Sequence, residues 1–105
     1  MSDELLLLQE ASTKLSDYFE QDALRLAQTK EALVKQLAEA IVFLLLHDME
    51  KLMNILYRID VFERDTKAAF AQNNPEQIAP RLAELILQRE MQKAKTRLAY
   101  RNPKN

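Results

Sequence analysis

The sequence contains no glycine, although glycine makes up about 7% of an average protein. Glycine supplies the positive φ angles of tight turns and lets the backbone approach ligand phosphates closely. Phosphate-binding loops and dinucleotide-binding motifs are both built on glycine, and two-residue hairpins favour it. Its absence therefore argues against nucleotide-binding α/β folds and against hairpin-rich β folds.

Cysteine is also absent, and His47 is the single histidine. Without cysteine the chain has no disulfides, no thiol catalysis and no cysteine-ligated zinc. One histidine cannot complete a ferritin-like di-iron site, which takes two Glu-x-x-His motifs. A Ser-His-Asp triad is formally possible, but the serines all fall in or beside the first predicted helix. We therefore predict that the chain is not an enzyme and has no catalytic residue, cofactor or metal ion, and that His47 simply ends a helix.

A long hydrophobic run is missing as well. The most apolar segment, Ala40–Leu46, covers seven residues, whereas a membrane-spanning helix takes about 20. The first four residues, 1–4, are acidic where a secretory signal would be basic. These features predict a cytoplasmic protein with no membrane partner.

Helical periodicity dominates what is present. The 105 residues are 48% hydrophobic and 30% charged, which suits one folded domain with a single core. Apolar residues recur at steps of three and four along most of the chain. We predict an all-α fold, a single-domain helical bundle of four to five helices over residues 1–105.

The first two predicted helices carry the strongest apolar pattern. One runs from Asp3 into the twenties, and the other from Lys30 to His47 with Thr29 as its N-cap. The second is apolar nearly all round at Ile41–Leu46, so we place it at the centre of the bundle or against a second subunit. The inward face of the first helix is predicted to hold Leu5, Leu8, Ser12, Leu15, Phe19 and Leu26.

Polar residues mark the later boundaries. Asp48 is predicted to cap a third helix, Met49–Ile59, with Leu52, Met53, Leu56 and Ile59 facing inward. Asp60 and Glu63 read as a capping box for a fourth helix from Val61 to about Gln72, with Phe62, Ala69 and Phe70 inward.

The sequence Asn73-Asn74-Pro75 predicts the start of the last helix. Asn73 suits a left-handed C-terminal position, and Asn74 suits an N-cap followed by proline. Pro80 is predicted either to kink this helix or to begin it. Asn102-Pro103 should end the helix, with a partly frayed, basic segment over about 99–105.

Charge is unevenly distributed. Residues 89–105 hold six basic side chains and one acidic one, a net +5, whereas residues 1–88 hold nine basic and fifteen acidic ones, a net −6. Basic clustering along one helix is the pattern of phosphate binding, but it also suits contact with an acidic protein surface. The candidate interaction residues in this helix are Arg89, Lys93, Arg97 and Arg101, with Lys95 and Lys104 nearby.

Tyr57 and Arg58 are further candidates at a helix end, with Asp60 close enough in sequence to pair with Arg58. The favoured interpretation is a corner between helices held by side-chain hydrogen bonds in place of glycine. The alternative is a polar recognition spot on the surface.

The stretches His47–Leu52, Leu56–Val61 and Gln88–Lys93 resemble a group of small helical bacterial proteins of unknown function. The resemblance implies a bacterial cytosolic helical domain and carries no activity or site residue. From the residues themselves we predict a non-enzymatic helical protein that binds protein, most simply as a homodimer. The alternative is a nucleic-acid-associated protein that binds phosphates through residues 89–104.

Overall fold

The structure is a computed structural model and describes residues 2–101. Over that range it is all-α, as predicted, with five α-helices and one short 3₁₀ helix at Asp22–Leu26. The α-helices are α1 (Ser2–Phe19), α2 (Lys30–His47), α3 (Met49–Ile59), α4 (Glu63–Phe70) and α5 (Pro75–Arg101).

The long helix α5 is the centre of the bundle. It packs most extensively against α2, and α1, α3 and α4 also contact it. Their shared core consists of aliphatic side chains, and each one contributes about 1.5–3 kcal/mol through burial. Fully buried members include Leu15, Leu37, Ile41, Leu82 and Ile86.

The first helix ends earlier than predicted. α1 stops at Phe19, and Glu20 takes a left-handed conformation with φ 56°. Arg25, in the 3₁₀ helix, then donates to Ser16 Oγ at 2.8 Å and holds this helix against α1. Leu24 is buried there, whereas Leu26 is 76% exposed, so the prediction of Leu26 as an inward residue was wrong. Leu5, at the other end of α1, is likewise half exposed.

The predicted bounds of α2 and α3 are confirmed. Thr29 Oγ1 accepts a hydrogen bond from Ala32 N at 3.0 Å, and Asp48 Oδ1 accepts one from Lys51 N at 3.1 Å. His47 is the last residue of α2, and its ring contacts the Phe43 ring, with 4.5 Å between centroids. On α3, Leu52, Leu56 and Ile59 are buried as predicted. Met53 is exposed, and Ile55 occupies the core instead.

The corner between α3 and α4 differs from the predicted capping box. Asp60 ends α3 in a left-handed conformation, φ 68° and ψ 49°, and its amide donates to Leu56 O. Asp60 does not cap α4, because α4 begins at Glu63 and Phe62 occupies its N-cap position, with no side-chain cap bond. Phe62 is 64% exposed rather than inward, whereas Ala69 is buried and Phe70 is partly buried.

α5 begins as predicted at Pro75, and Asn74 Oδ1 accepts a hydrogen bond from Gln77 N at 3.0 Å. Pro80 lies inside the helix and does not begin it. Asn73 is not left-handed, since positive φ occurs within residues 2–101 at Glu20 and Asp60. The helix continues through Arg101. Residues 102–105, including the predicted Asn102-Pro103 stop, lie outside the described residues.

Candidate interaction surfaces

The predicted basic residues of α5 lie four apart along one side of the helix, and all four have partners within the chain. Arg89 donates to the carbonyl oxygen of Asp60 at 3.0 Å and to its Oδ2 at 3.3 Å. Lys93 Nζ donates to Ile59 O at 3.3 Å. These two cations therefore bind the carbonyl end of α3, where the helix dipole favours positive charge.

Arg97 and Arg101 bind acidic side chains instead. Arg97 donates to Glu10 Oε2 at 2.9 Å and to Glu90 Oε2 at 2.6 Å, and Arg101 donates to Glu10 Oε1 at 2.8 Å. Glu90 is fully buried, with 0% of its surface exposed. Arg97 and Arg101 thus reach the same carboxylate, that of Glu10. We name Glu10, Glu90, Arg97 and Arg101 the ionic cluster.

The ionic cluster perturbs the pKa of Glu10 and of Arg97. Hydrogen bonds first from Arg101 and then from Arg97 lower the pKa of Glu10, which outweighs the opposing effect of burial. Burial favours a lower pKa for Arg97, but its hydrogen bonds to Glu90 and Glu10 outweigh that effect and raise the pKa. Glu10 and Arg97 are therefore held in their ionised forms, and their contact ties the end of α5 to α1.

The side chains of Tyr57 and Arg58 do not form one common surface site. Tyr57 is 87% exposed, whereas the Arg58 guanidinium lies 5.1 Å from the centre of the Tyr18 ring on α1. The possible pair between Arg58 and Asp60 does not form, because Asp60 binds Arg89. The corner between α3 and α4 is held by side-chain hydrogen bonds, in line with the favoured interpretation. The donors, however, are Arg89 and Lys93 of α5.

An apolar groove runs between α2 and α5. It is shallow and open to solvent, with a volume of about 650 Å³ at one end beside Val42 and Pro80 and about 400 Å³ at the other beside Leu87 and Met91. The two parts share Val34, so the groove is continuous. We name it the α2–α5 groove and define it by Val34, Ala38, Val42, Ala79, Pro80, Leu87 and Met91.

The α2 side of the α2–α5 groove is a second apolar face of that helix. The first face, with Leu33, Leu37 and Leu44, is buried in the core. Val34, Ala38 and Val42 follow at steps of four and are only partly buried. The segment 41–46, predicted to be apolar all round, accordingly divides: Ile41 and Leu44 face the core, whereas Phe43 and Leu46 are exposed.

Charged side chains border the groove. Lys30 pairs with Glu4 at 3.1 Å, and Glu84 pairs with Arg81 at 3.5 Å. Five other charged residues that line the groove are exposed and form no ion pair within residues 2–101: Glu31, Lys35, Glu39, Glu76 and Lys95. The charges on the borders are therefore only partly neutralised within the described residues.

No group of three or more His, Asp or Glu side chains in the described part of the chain is arranged to hold a metal ion. None of its helices is long and apolar enough to cross a bilayer. Comparison of the chain with protein-family models, with curated proteins and with solved structures finds no match.

The sequence contained a signal for the groove but none for the ionic cluster. Adjacent apolar pairs at 33–34, 37–38, 41–42 and 44–45 show that α2 has two apolar faces. Glu10 and Arg97, in contrast, are 87 positions apart, and no local pattern links them. The predicted site residues on α5 thus prove to be partners within the fold, while Val34, Ala38 and Val42 were not singled out.

Proposed function

We propose that this chain is a non-enzymatic, cytoplasmic helical module for protein–protein interaction, with the α2–α5 groove as its binding surface. The observation that carries the proposal is the groove itself, a shallow depression in which apolar side chains lie between charged and amide side chains. Exposed contiguous apolar surface on a small domain is typical of an interaction site. Polar borders around an apolar centre are likewise typical of protein interfaces.

The shape of the groove favours a protein partner. It follows α5 from Pro80 to Lys95, which at 1.5 Å per residue is roughly 22 Å. That length accommodates about four turns of a partner helix, which would bury residues at steps of three and four in the groove. Ala38, which is only partly buried, supplies a small side chain that lets a helix backbone come close.

Site-specific photo-crosslinking in living cells tests this function. A photoreactive amino acid at Ala38, in the groove, should give adducts with protein. The matched control replaces Asn54, which is exposed on α3 and outside the groove. Adducts at Ala38 but not at Asn54 support the module; no adduct at Ala38, or equal yields at both positions, would contradict it.

Phosphate binding by the basic residues of α5 is the alternative, and it has less support. Arg89, Lys93, Arg97 and Arg101 already bind groups of the same chain, so a nucleic acid would have to compete with those groups. If they nevertheless bind phosphates, affinity for duplex or single strands should fall steeply with salt. Fluorescence anisotropy at low ionic strength that detects no complex would eliminate this alternative.

A further inference from the structure

We propose that the α2–α5 groove binds an amphipathic helix of another protein, with lysine or arginine side chains of that helix beside Glu39, Glu76 and Pro80. The inference rests on the proposed function, because it names the class of partner for the same groove. Two observations carry it. One is the sign of the unpaired charges along the groove, and the other is a backbone carbonyl group that Pro80 leaves without its helical donor.

The larger part of the groove, beside Val42 and Pro80, has an excess of negative charge. Its exposed charged side chains without an ion pair in residues 2–101 are three acidic and one basic, a net −2: Glu31, Lys35, Glu39 and Glu76. In the smaller part, beside Met91, the corresponding side chain is the positive Lys95. A partner that complements these charges is therefore basic over the larger part of the groove and not over the smaller one.

Pro80 adds a hydrogen-bond acceptor to the larger part of the groove. It lies inside α5, and because proline has no amide hydrogen, the carbonyl oxygen of Glu76 lacks the donor that an α-helix supplies four residues later. Residues four apart lie on one side of a helix, and both Glu76 and Pro80 line the groove. An ammonium or guanidinium group carries several donors for such a carbonyl oxygen, together with the charge that complements the carboxylates.

Apolar side chains determine the rest of the partner. Val34, Ala38 and Val42 follow at steps of four along α2 and are partly buried, and Leu87 and Met91 lie across from them on α5. An amphipathic helix can bury its apolar face among these residues. Lysine and arginine at the edge of that face have long apolar stems, which pack on the groove while their charged ends reach the carboxylates.

The basic helix of this chain, α5, is not a suitable occupant for the groove of a second copy. Arg89, Lys93, Arg97 and Arg101 are all bonded to groups of their own chain. A second copy would have to break these bonds to present the four side chains. The charges of the groove are therefore better complemented by a helix of a different protein.

Synthetic peptides test the sign of the charge. Three peptides of about 15 residues match the length of the groove and share leucines at steps of three and four. Their polar positions hold lysine in the first peptide, glutamine in the second and glutamate in the third. Isothermal titration calorimetry with the purified chain should show the lysine peptide binding about fivefold more tightly than the glutamine peptide, and the glutamate peptide weakest. Equal affinities for the lysine and glutamate peptides, or no binding of the lysine peptide, would overturn the inference.

Variants of the chain locate the attraction, with the preference for the lysine over the glutamine peptide as the readout. Glu39→Gln/Glu76→Gln should reduce this preference to less than about twofold. The matched control Asp22→Asn/Glu50→Gln removes two exposed carboxylates outside the groove and should leave the preference unchanged. An unchanged preference in Glu39→Gln/Glu76→Gln, or an equal reduction in the control, would overturn the proposed position of the basic side chains.

The carbonyl oxygen of Glu76 has its own test. Pro80→Ala supplies the missing amide donor and removes a residue that disfavours helix, so the chain should remain folded. Loss of the apolar proline ring affects all three peptides alike, whereas loss of the free acceptor should lower the preference for the lysine peptide. An unchanged preference in Pro80→Ala would overturn the role of this carbonyl group.

The segment that crosslinks to Ala38 in cells separates this inference from the proposed function. Mass spectrometry of the adduct identifies that segment. A helix of another protein with lysine or arginine within about two turns of the crosslink supports the inference. A segment without basic residues, or a second copy of this chain, overturns it and leaves the groove as an interaction site. No adduct overturns both.

Discussion

Replacing Arg97 with methionine is the most informative perturbation of this fold. The Arg97 side chain is 29% exposed and bonds the fully buried carboxylate of Glu90. Without the guanidinium, the nearest remaining cation is Lys93, 3.9 Å from Glu90. One oxygen of Glu90, Oε1, already has no hydrogen-bond partner. Leaving a buried charge uncompensated costs about 3–5 kcal/mol, and we expect Arg97→Met to lose that much stability.

The double variant Glu90→Met/Arg97→Met supplies the matched control. Replacing a buried ion pair with apolar groups of similar volume is often neutral or stabilising, and Glu10 keeps Arg101 as its partner. The double variant should therefore lie within about 1–2 kcal/mol of the natural protein. Glu90→Met alone leaves Arg97 bonded to Glu10 and should cost about 1–2 kcal/mol. The cycle isolates the interaction between the two positions.

Urea denaturation followed by far-ultraviolet circular dichroism measures these differences through linear extrapolation. All four proteins should be compared at one low concentration, so that self-association does not add to stability. In thermal unfolding, each kcal/mol corresponds to about 4–8 °C for a domain of this size, so Arg97→Met should melt at least about 12 °C lower. A loss under about 1 kcal/mol, or a double variant as unstable as Arg97→Met, would refute this reasoning.

Three further predictions concern the caps and the pH dependence. Asp60→Ala and Asp60→Gly both remove the ion pair with Arg89, so their difference in unfolding free energy should equal the cost of a left-handed alanine, about 1 kcal/mol in favour of glycine; equal stabilities would contradict it. Asn74→Ala removes the cap of α5 and should cost about 1 kcal/mol in urea denaturation, with no loss counting against that role. Because the folded pKa of Glu10 is lowered from 4.5, its stabilisation is present above 4.5 and is lost as pH falls through the folded value. Glu10→Gln should therefore flatten the acid decline in thermal unfolding, and an unchanged decline would contradict the assignment.

Local chemistry determined which boundaries could be predicted from the sequence. Thr29, Asp48 and Asn74 each accept a hydrogen bond from a backbone amide three residues ahead. Such a cap depends on residues within one turn, so the bounds of α2 and α3 and the start of α5 were predicted correctly. Asp60 fits an N-cap equally well by sequence. Its left-handed geometry is held by Arg89, 29 positions later, which no local pattern contains.

Burial was predictable where one face of a helix dominates. Leu52, Leu56 and Ile59 follow a single strong stripe on α3 and are buried. The predictions that Leu26 and Phe62 face inward are wrong because they extend helices through segments where the chain turns. The chain turns there partly because Glu20 and Asp60 adopt positive φ. The sequence predicts that conformation for asparagine or glycine, not for acidic residues.

The missing glycines link these observations. A helix commonly ends on a left-handed residue, and glycine adopts that conformation without steric cost. Here Glu20 and Asp60 take it, and each then accepts a cation from a distant helix: Lys51 Nζ lies 2.7 Å from Glu20 Oε1, and Arg89 Nη2 lies 3.3 Å from Asp60 Oδ2. A glycine could end the helix but could not form that bond. The acidic residues at these two helix ends therefore also form contacts between helices. Part of the basic charge of the sequence is neutralised by these contacts within the fold. The basic end of α5 is consequently better explained as part of the structure than as a binding site, and the search for a partner moves to the α2–α5 groove.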